Sequence, residues 1–218
     1  MASLVPLIEK QIKVEAKQRG FLKTRAQYYI HLDKCYDGII QFMVATYKHL
    51  RVVDVRIGVS HLEHERLYAL FCDKTPPYYF KKKIYRFFSC HINLLSLMSP
   101  EEREKYHFGF EYYDEHPEMI ENTTQQMFSF IDKYAFNYFN KMMDVDLIVN
   151  NCLSTNIRQV YFTSIPLLYL ACGRKDDALH FLETALDKPE FQGEQYIDFY
   201  NEFINYDYDA DPDKLPVV

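Results

Sequence analysis

The chain has 218 residues, of which 48% are hydrophobic and 26% charged, as in an ordinary soluble globular protein of one domain or two small ones. A chain of this length buries enough surface to fold without disulfides. Its five cysteines include no CxxC pair, which predicts free thiols in a reducing cytoplasm. The charged segment Met1–Gly20 lacks the apolar region of a signal peptide, and no apolar run is long enough to predict a membrane span.

Charge is unevenly distributed along the chain. Residues 1–100 contain 16 Lys+Arg and 8 Asp+Glu, a net charge of +8, whereas residues 101–218 contain 9 and 23, a net charge of −14; the two sum to the overall −6. Apolar and polar residues alternate in the first part, and apolar residues recur at helical spacing in the second. This pattern predicts one α+β domain, 1–218, with a β-rich part over 1–116 and a helical part over 117–206.

The N-terminal elements are predicted from periodicity and from turn residues. Apolar residues at helical spacing indicate a first helix that Ser3 caps and Gly20 ends in a left-handed conformation. Alternation predicts strands over Arg25–Asp33, Ile39–Tyr47 and Val52–Val59. Short connections between these strands favour an antiparallel meander.

Two further alternating runs predict strands, Phe88–Leu94 and Tyr106–Tyr112. Between them, Ser99-Pro100-Glu101-Glu102 is typical of a helix start, with a cap, a proline and acids in the first turn. The helices predicted in the C-terminal part are Ile120–Met142, Asp144–Leu153, Ile157–Cys172, Lys175–Leu186 and Glu194–Tyr206. The predicted fold class is therefore α+β: an N-terminal helix, a mostly antiparallel sheet of four to six strands and a C-terminal helical subdomain. The acidic tail, 207–218, is predicted to pack poorly and to be flexible.

The segment His61-Leu62-Glu63-His64-Glu65 is the densest cluster of metal-ligand residue types. It matches neither HExxH nor HxxEH. On a helix, His61 and His64 share a face and offer two metal ligands, with His91 or His107 as a candidate third. A solvated polar segment is the preferred interpretation, so neither a metal nor another cofactor is predicted.

A basic segment, Tyr78–Arg86, combines aromatic rings with four cations that suit phosphates or nucleic acid. The cations are Lys81, Lys82, Lys83 and Arg86. Against this hypothesis, the whole chain is acidic, with a pI near 5.8, so nucleic-acid binding remains the third functional hypothesis.

No catalytic residues are predicted. The chain lacks GxSxG, Walker and GxGxxG motifs, and its 6 glycines leave little material for a phosphate-binding loop. Catalytic groups can still converge from distant positions. The second functional hypothesis is therefore a small-ligand binder or enzyme with a pocket between sheet and helices, lined by Tyr and His.

Segments along most of the chain together resemble a family of uncharacterised bacterial α+β proteins. They include Gly20-Phe21-Leu22-Lys23, Tyr28-Tyr29-Ile30, Ile40-Gln41-Phe42, Val55-Arg56-Ile57-Gly58-Val59 and Asp144-Val145-Asp146-Leu147. In the helical part, Tyr169–Arg174 with the following residues also resembles half of a tetratricopeptide-type hairpin, although an ordinary αα-hairpin is preferred because no second copy follows. Small proteins of this bacterial style are often immunity or interaction proteins encoded beside toxins, so the resemblance implies a protein-binding role.

The leading hypothesis is a non-enzymatic binding protein of a bacterial cytoplasm. An acidic helical face, with Asp176, Asp177, Glu183 and Asp187, is predicted to cover a basic site on a protein partner.

Overall fold

The predicted α+β class is confirmed by a computed structural model that describes residues 4–24, 27–73, 88–106, 108–154 and 160–215. Its strands are β1 Leu22–Lys23, β2 Tyr28–His31, β3 Tyr36–Thr46, β4 Leu50–His61, β5 Cys90–Asn93 and β6 Phe110–Tyr113. Its helices are α1 Val5–Gln18, α2 Leu62–Tyr68, α3 Pro100–Glu104, α4 Ile120–Lys141, α5 Val145–Leu153, α6 Ile165–Ala171, α7 Lys175–Leu186 and α8 Glu194–Asn205.

The six strands form one sheet in the order β1-β2-β3-β4-β5, with β6 also paired to β4. The β1–β2 and β4–β6 pairs are antiparallel, and Val53 in β4 lies opposite Phe110 in β6. Val53 and Phe110 are both buried, so the alternation that predicted these strands also sets their register.

Several helix boundaries follow the signals in the sequence. Ser99 caps α3 in a capping box: the Glu102 backbone N–H donates to Ser99 Oγ at 3.3 Å, and the Ser99 backbone N–H donates to Glu102 Oε2 at 3.0 Å. Gly20 follows α1 with φ of +80°, the predicted left-handed residue. Ser3 lies outside the described residues, as do Arg25 and Ala26 at the start of the predicted strand Arg25–Asp33.

The described residues form two compact units that do not divide the chain at residue 100 or 116. Unit 1 draws on the ranges Met1–Leu32, Gly38–Val59 and His91–Lys141, and unit 2 on Asp33–Asp37, Ser60–Cys90 and Met142–Val218. The long helix α4, predicted as the start of the helical part, therefore belongs with the sheet. Whether the chain is a single folding domain stays a prediction.

Unit 1 has a core formed by the sheet, α1 and α4. Helix α4 buries Met127, Phe128, Ile131 and Phe139, whose spacing of three and four residues places them on one face of the helix. Arg19 at the end of α1 joins the two helices, since its Nε donates to Asp132 Oδ1 at 2.8 Å.

Gly38 marks a close approach of β3 to α4. A Cβ atom at this position would lie 2.8 Å from Cδ2 and Cε2 of the fully buried Phe139 ring. We expect Gly38→Ala to lower the free energy of unfolding by about 1–3 kcal/mol, because the ring must move within a filled core. Gly193→Ala is the control, since its Cβ would meet only Tyr196 at 3.7 Å; equal effects of the two substitutions in urea unfolding would contradict this packing.

Unit 2 has an aromatic core beneath its helices. Phe162 is fully buried, and its ring centroid lies 5.4 Å from that of Phe191 and 5.8 Å from that of Phe199. Phe71 contacts Phe199 and Phe203 from the other side. These five rings are part of one buried cluster that also includes Leu182 and Leu170.

The end of the chain packs more closely than its acidity predicts. The Tyr208 side chain is only 4% exposed, and Asp211 Oδ2 lies 2.6 Å from Arg66 Nη2. The expectation of poor packing over 207–213 was therefore wrong for Tyr208 and Asp211, whereas Asp207, Asp209 and Asp213 are exposed. Arg66, more than a hundred residues away in the sequence, neutralises Asp211. A count of the charges in the tail alone does not predict this contact.

Candidate functional site

Helix α7 presents three different faces in unit 2. Residues in an α-helix advance by about 100° each, so positions 176, 180, 183 and 187 share one face, and positions 177, 181, 184 and 188 share the next. A third face, with Ala178, Leu182 and Ala185, is buried in the core. Two neighbouring faces of the helix therefore point away from the core of unit 2.

The first of these faces holds His180 and three acids, Asp176, Glu183 and Asp187, which are here called the acidic stripe. All three side chains are exposed, and among the described residues no ion pair involves their carboxylates. The structure thus brings three of the four predicted partner-binding acids onto one strip of surface.

Asp177, the fourth predicted acid, lies on the neighbouring face and has a different environment. Arg174 Nε donates to Asp177 Oδ2 at 2.6 Å, while Arg174 Nη1 donates to Asp146 Oδ1 at 2.8 Å. The same guanidinium lies 4.7 Å from the centre of the Tyr169 ring. Both carboxylates hold the pKa of Arg174 above its usual range, so the charge of Asp177 is partly neutralised before any partner binds.

A cavity of about 540 Å³ lies along this second face of α7. Its lining combines apolar side chains from several helices with polar groups: Leu153, Tyr169, Asp177, His180, Phe181, Thr184, Ala185, Lys188, Glu190 and Phe191. Leu153, at the end of α5, is 47% exposed. The volume is within the range of cavities that receive small ligands or the side chains of a partner.

One wall of the cavity is held in place by the core. Phe191 is 6% exposed, and its ring stacks on Phe162 and meets Tyr196 edge-to-face at 5.2 Å. A wall fixed in this way is preorganised, so a ligand need not order it on binding.

No pattern in the sequence marks the cavity-lining residues as a group. Four separate segments of the chain supply Leu153, Tyr169, Phe181 and Phe191. Taken alone, each of these residues indicates only an ordinary core position. Only the hairpin signal around Gly173, which has a φ of +73°, indicated that α6 and α7 lie side by side.

The His61–His64 segment is buried in unit 2 rather than solvated, so the preferred interpretation of this segment was wrong. His61 caps α2, and its Nδ1 accepts the His64 backbone N–H at 3.3 Å. His64 Nδ1 lies 2.9 Å from Ser89 Oγ, and His64 Nε2 lies 3.0 Å from Ser164 Oγ. The His64 ring can be buried because these two serines, distant in sequence, supply hydrogen-bond partners for both of its nitrogens inside the protein.

Burial keeps both imidazoles neutral. It lowers the pKa of His64 to about 3, with a further contribution from nearby His61, and lowers the pKa of His61 to about 4. A serine beside a neutral imidazole is the residue pair of a nucleophile and its base. Ser164 is only 2% exposed, however, so this arrangement does not present its hydroxyl to a substrate.

The other sequence predictions have simpler outcomes. Lys81, Lys82, Lys83 and Arg86 lie outside the described residues. Within the described residues, no group of three or more His, Cys, Asp or Glu side chains is placed to hold a metal ion, and no helix there is both long and apolar enough to cross a membrane.

Comparisons with known proteins add no further assignment: no family model, curated protein or solved structure matches this chain. The resemblance to an uncharacterised bacterial family therefore stays a prediction.

Proposed function

We propose that this protein is a non-enzymatic binding protein of a bacterial cytoplasm that occludes a basic site on a protein partner. The observation that carries the proposal is the acidic stripe of α7, Asp176, Glu183 and Asp187, beside an open cavity. Exposed charges of one sign steer a partner of opposite charge and select against others. A cavity with apolar walls adds contact area that charge alone does not supply.

The charge of the C-terminal part of the chain also favours a basic partner. Residues 142–218 contain 14 Asp+Glu and 5 Lys+Arg, a net charge of −9. Such a surface repels nucleic acid and attracts proteins that themselves bind phosphate, since these are basic at their binding sites. An immunity-type blocker of a nuclease has this kind of surface.

Reversing the acidic stripe tests the proposal. We expect the combined substitution Asp176→Lys, Glu183→Lys and Asp187→Lys to weaken capture of the partner from cells that produce the protein by at least about tenfold, because three attractive contacts become repulsive. Capture by the unaltered protein should also fall as salt rises, since exposed charges are screened over about 10 Å at 0.1 M salt.

Helix α8 offers a control with the same change in charge. Glu194, Asp198 and Glu202 are exposed and lie on one face of α8. Replacing all three by Lys alters the overall field equally but leaves α7 intact, so most of the capture should remain. Equal losses for the two variants, or capture that salt does not affect, would contradict occlusion by α7.

A further inference from the structure

We infer that the cavity beside α7 receives one apolar side chain from a basic linear segment of the partner, an inference that rests on the proposed function. The partner segment is thus a peptide with a large apolar residue flanked by Lys or Arg. Three features of the described residues support this occupant: the apolar walls of the cavity, the preorganised wall at Phe191 and the charge at the rim.

The walls fit an apolar group. Leu153, which is 47% exposed, and Phe181 on α7, which is half-buried, both line the cavity. Covering apolar surface of this kind contributes about 25 cal/mol for each Å² removed from water. Because Phe191 is already fixed against the aromatic core, little of this gain is lost to ordering the site.

The rim fits flanking cations. Glu190 and Asp177 line the cavity, although Asp177 is already paired with Arg174, and the acidic stripe runs along the adjoining face of α7. Lys188 is the opposing charge at the cavity, and His180 also lines it. An anionic peptide would meet repulsion from Glu190 and from the acidic stripe, so charge complementarity favours a basic segment.

Labelled peptides and fluorescence anisotropy at low salt test the inference directly. The probe is Lys-Lys-Phe-Lys-Lys, with one matched peptide carrying Ala in place of Phe and another carrying Glu in place of each Lys. We expect the Phe peptide to bind at least about tenfold more tightly than the Ala peptide, the gain expected from burying most of one aromatic side chain. The Glu peptide should not bind.

Two substitutions at the cavity should have opposite effects. Leu153→Ser removes apolar wall and should reduce the preference for Phe over Ala severalfold, whereas Leu7→Ser, at a leucine 50% exposed on α1, should leave it unchanged. Lys188→Glu removes the opposing charge and should tighten binding of the Phe peptide severalfold. Misfolding does not tighten binding, so this variant separates charge from loss of structure.

The outcomes distinguish the inference from the proposed function. If the Phe and Ala peptides bind equally and reversal of the acidic stripe abolishes both, the cavity has no role, although occlusion by α7 stands. If neither basic peptide binds, or the Glu peptide binds best, the inference is wrong; capture of the natural partner then decides the proposed function independently.

Discussion

Lowering the pH from 8 to 5 is expected to reduce the free energy of unfolding by about 4 kcal/mol, about 2 kcal/mol for each of His61 and His64. Burial lowers their pKa values to about 4 and about 3, against 6.5 for a solvated histidine. Between these values the unfolded chain binds protons that the folded chain excludes. Stability is therefore full above about pH 7 and is lost as the pH falls towards the folded-state values.

The surroundings of the two rings modify this result only slightly. Asp33 raises the pKa of His61, but less than burial lowers it. The nearby Glu65 carboxylate accepts a hydrogen bond from Ser60 at 3.1 Å. Carboxylates with lowered pKa values, such as Glu102 at about 2, lose their stabilising contacts only at more acidic pH, so the interval from pH 8 to 5 reports mainly on histidine.

Urea unfolding at a series of pH values measures this effect. His64→Gln should reduce the number of protons taken up on unfolding near pH 5 by about one. His49→Gln, at an exposed histidine, should leave the proton uptake of the buried pair intact. A stability that does not change between pH 8 and 5 would show that the imidazoles are not buried as neutral rings.

Replacing Arg66 by Met is expected to cost about 3–5 kcal/mol of stability. Arg66 Nη2 lies 2.6 Å from both Glu63 Oε1 and Asp211 Oδ2, and the side chain of Glu63 is only 2% exposed. The backbone N–H of Leu215 donates to Glu63 Oε2 at 3.1 Å, and Tyr206 Oη donates to Asp211. Removing the cation leaves two carboxylates facing each other away from water.

Arg174→Met is the matched control, because Arg174 also joins two acids. Its partners Asp146 and Asp177 are 61% and 51% exposed, so water screens the three charges and the expected cost is about 0–1 kcal/mol. Thermal or urea unfolding of the two variants gives the comparison. If the two costs are the same, the Arg66 network is not buried; protease cleavage near residue 211 in Arg66→Met would further show that Arg66 holds this segment.

The amino-acid sequence by itself determined the local structure. Apolar alternation predicted strands that the structure gives as β3 and β4, and the pattern at Ser99 predicted a capped helix start, because these features depend on neighbours only a few residues away. The bounds of α7, Lys175–Leu186, follow from Gly173 before it and Pro189 after it. The sequence likewise indicated the four acids of the candidate site, because they lie within one predicted helix and the residue that follows it.

Tertiary structure decided which distant segments meet, because long-range contacts depend on shape rather than on local period. It placed α4 in the unit that contains the sheet, where Phe139 packs on Gly38, although the sequence grouped this helix with those that follow. It joined Arg174, the partner of Asp177, to Asp146, which lies 28 residues earlier in the chain. It also buried His64 between two serines, an environment that no spacing along the chain indicates, since hydrogen-bond partners 25 and 100 residues away remove the cost of burying its ring nitrogens.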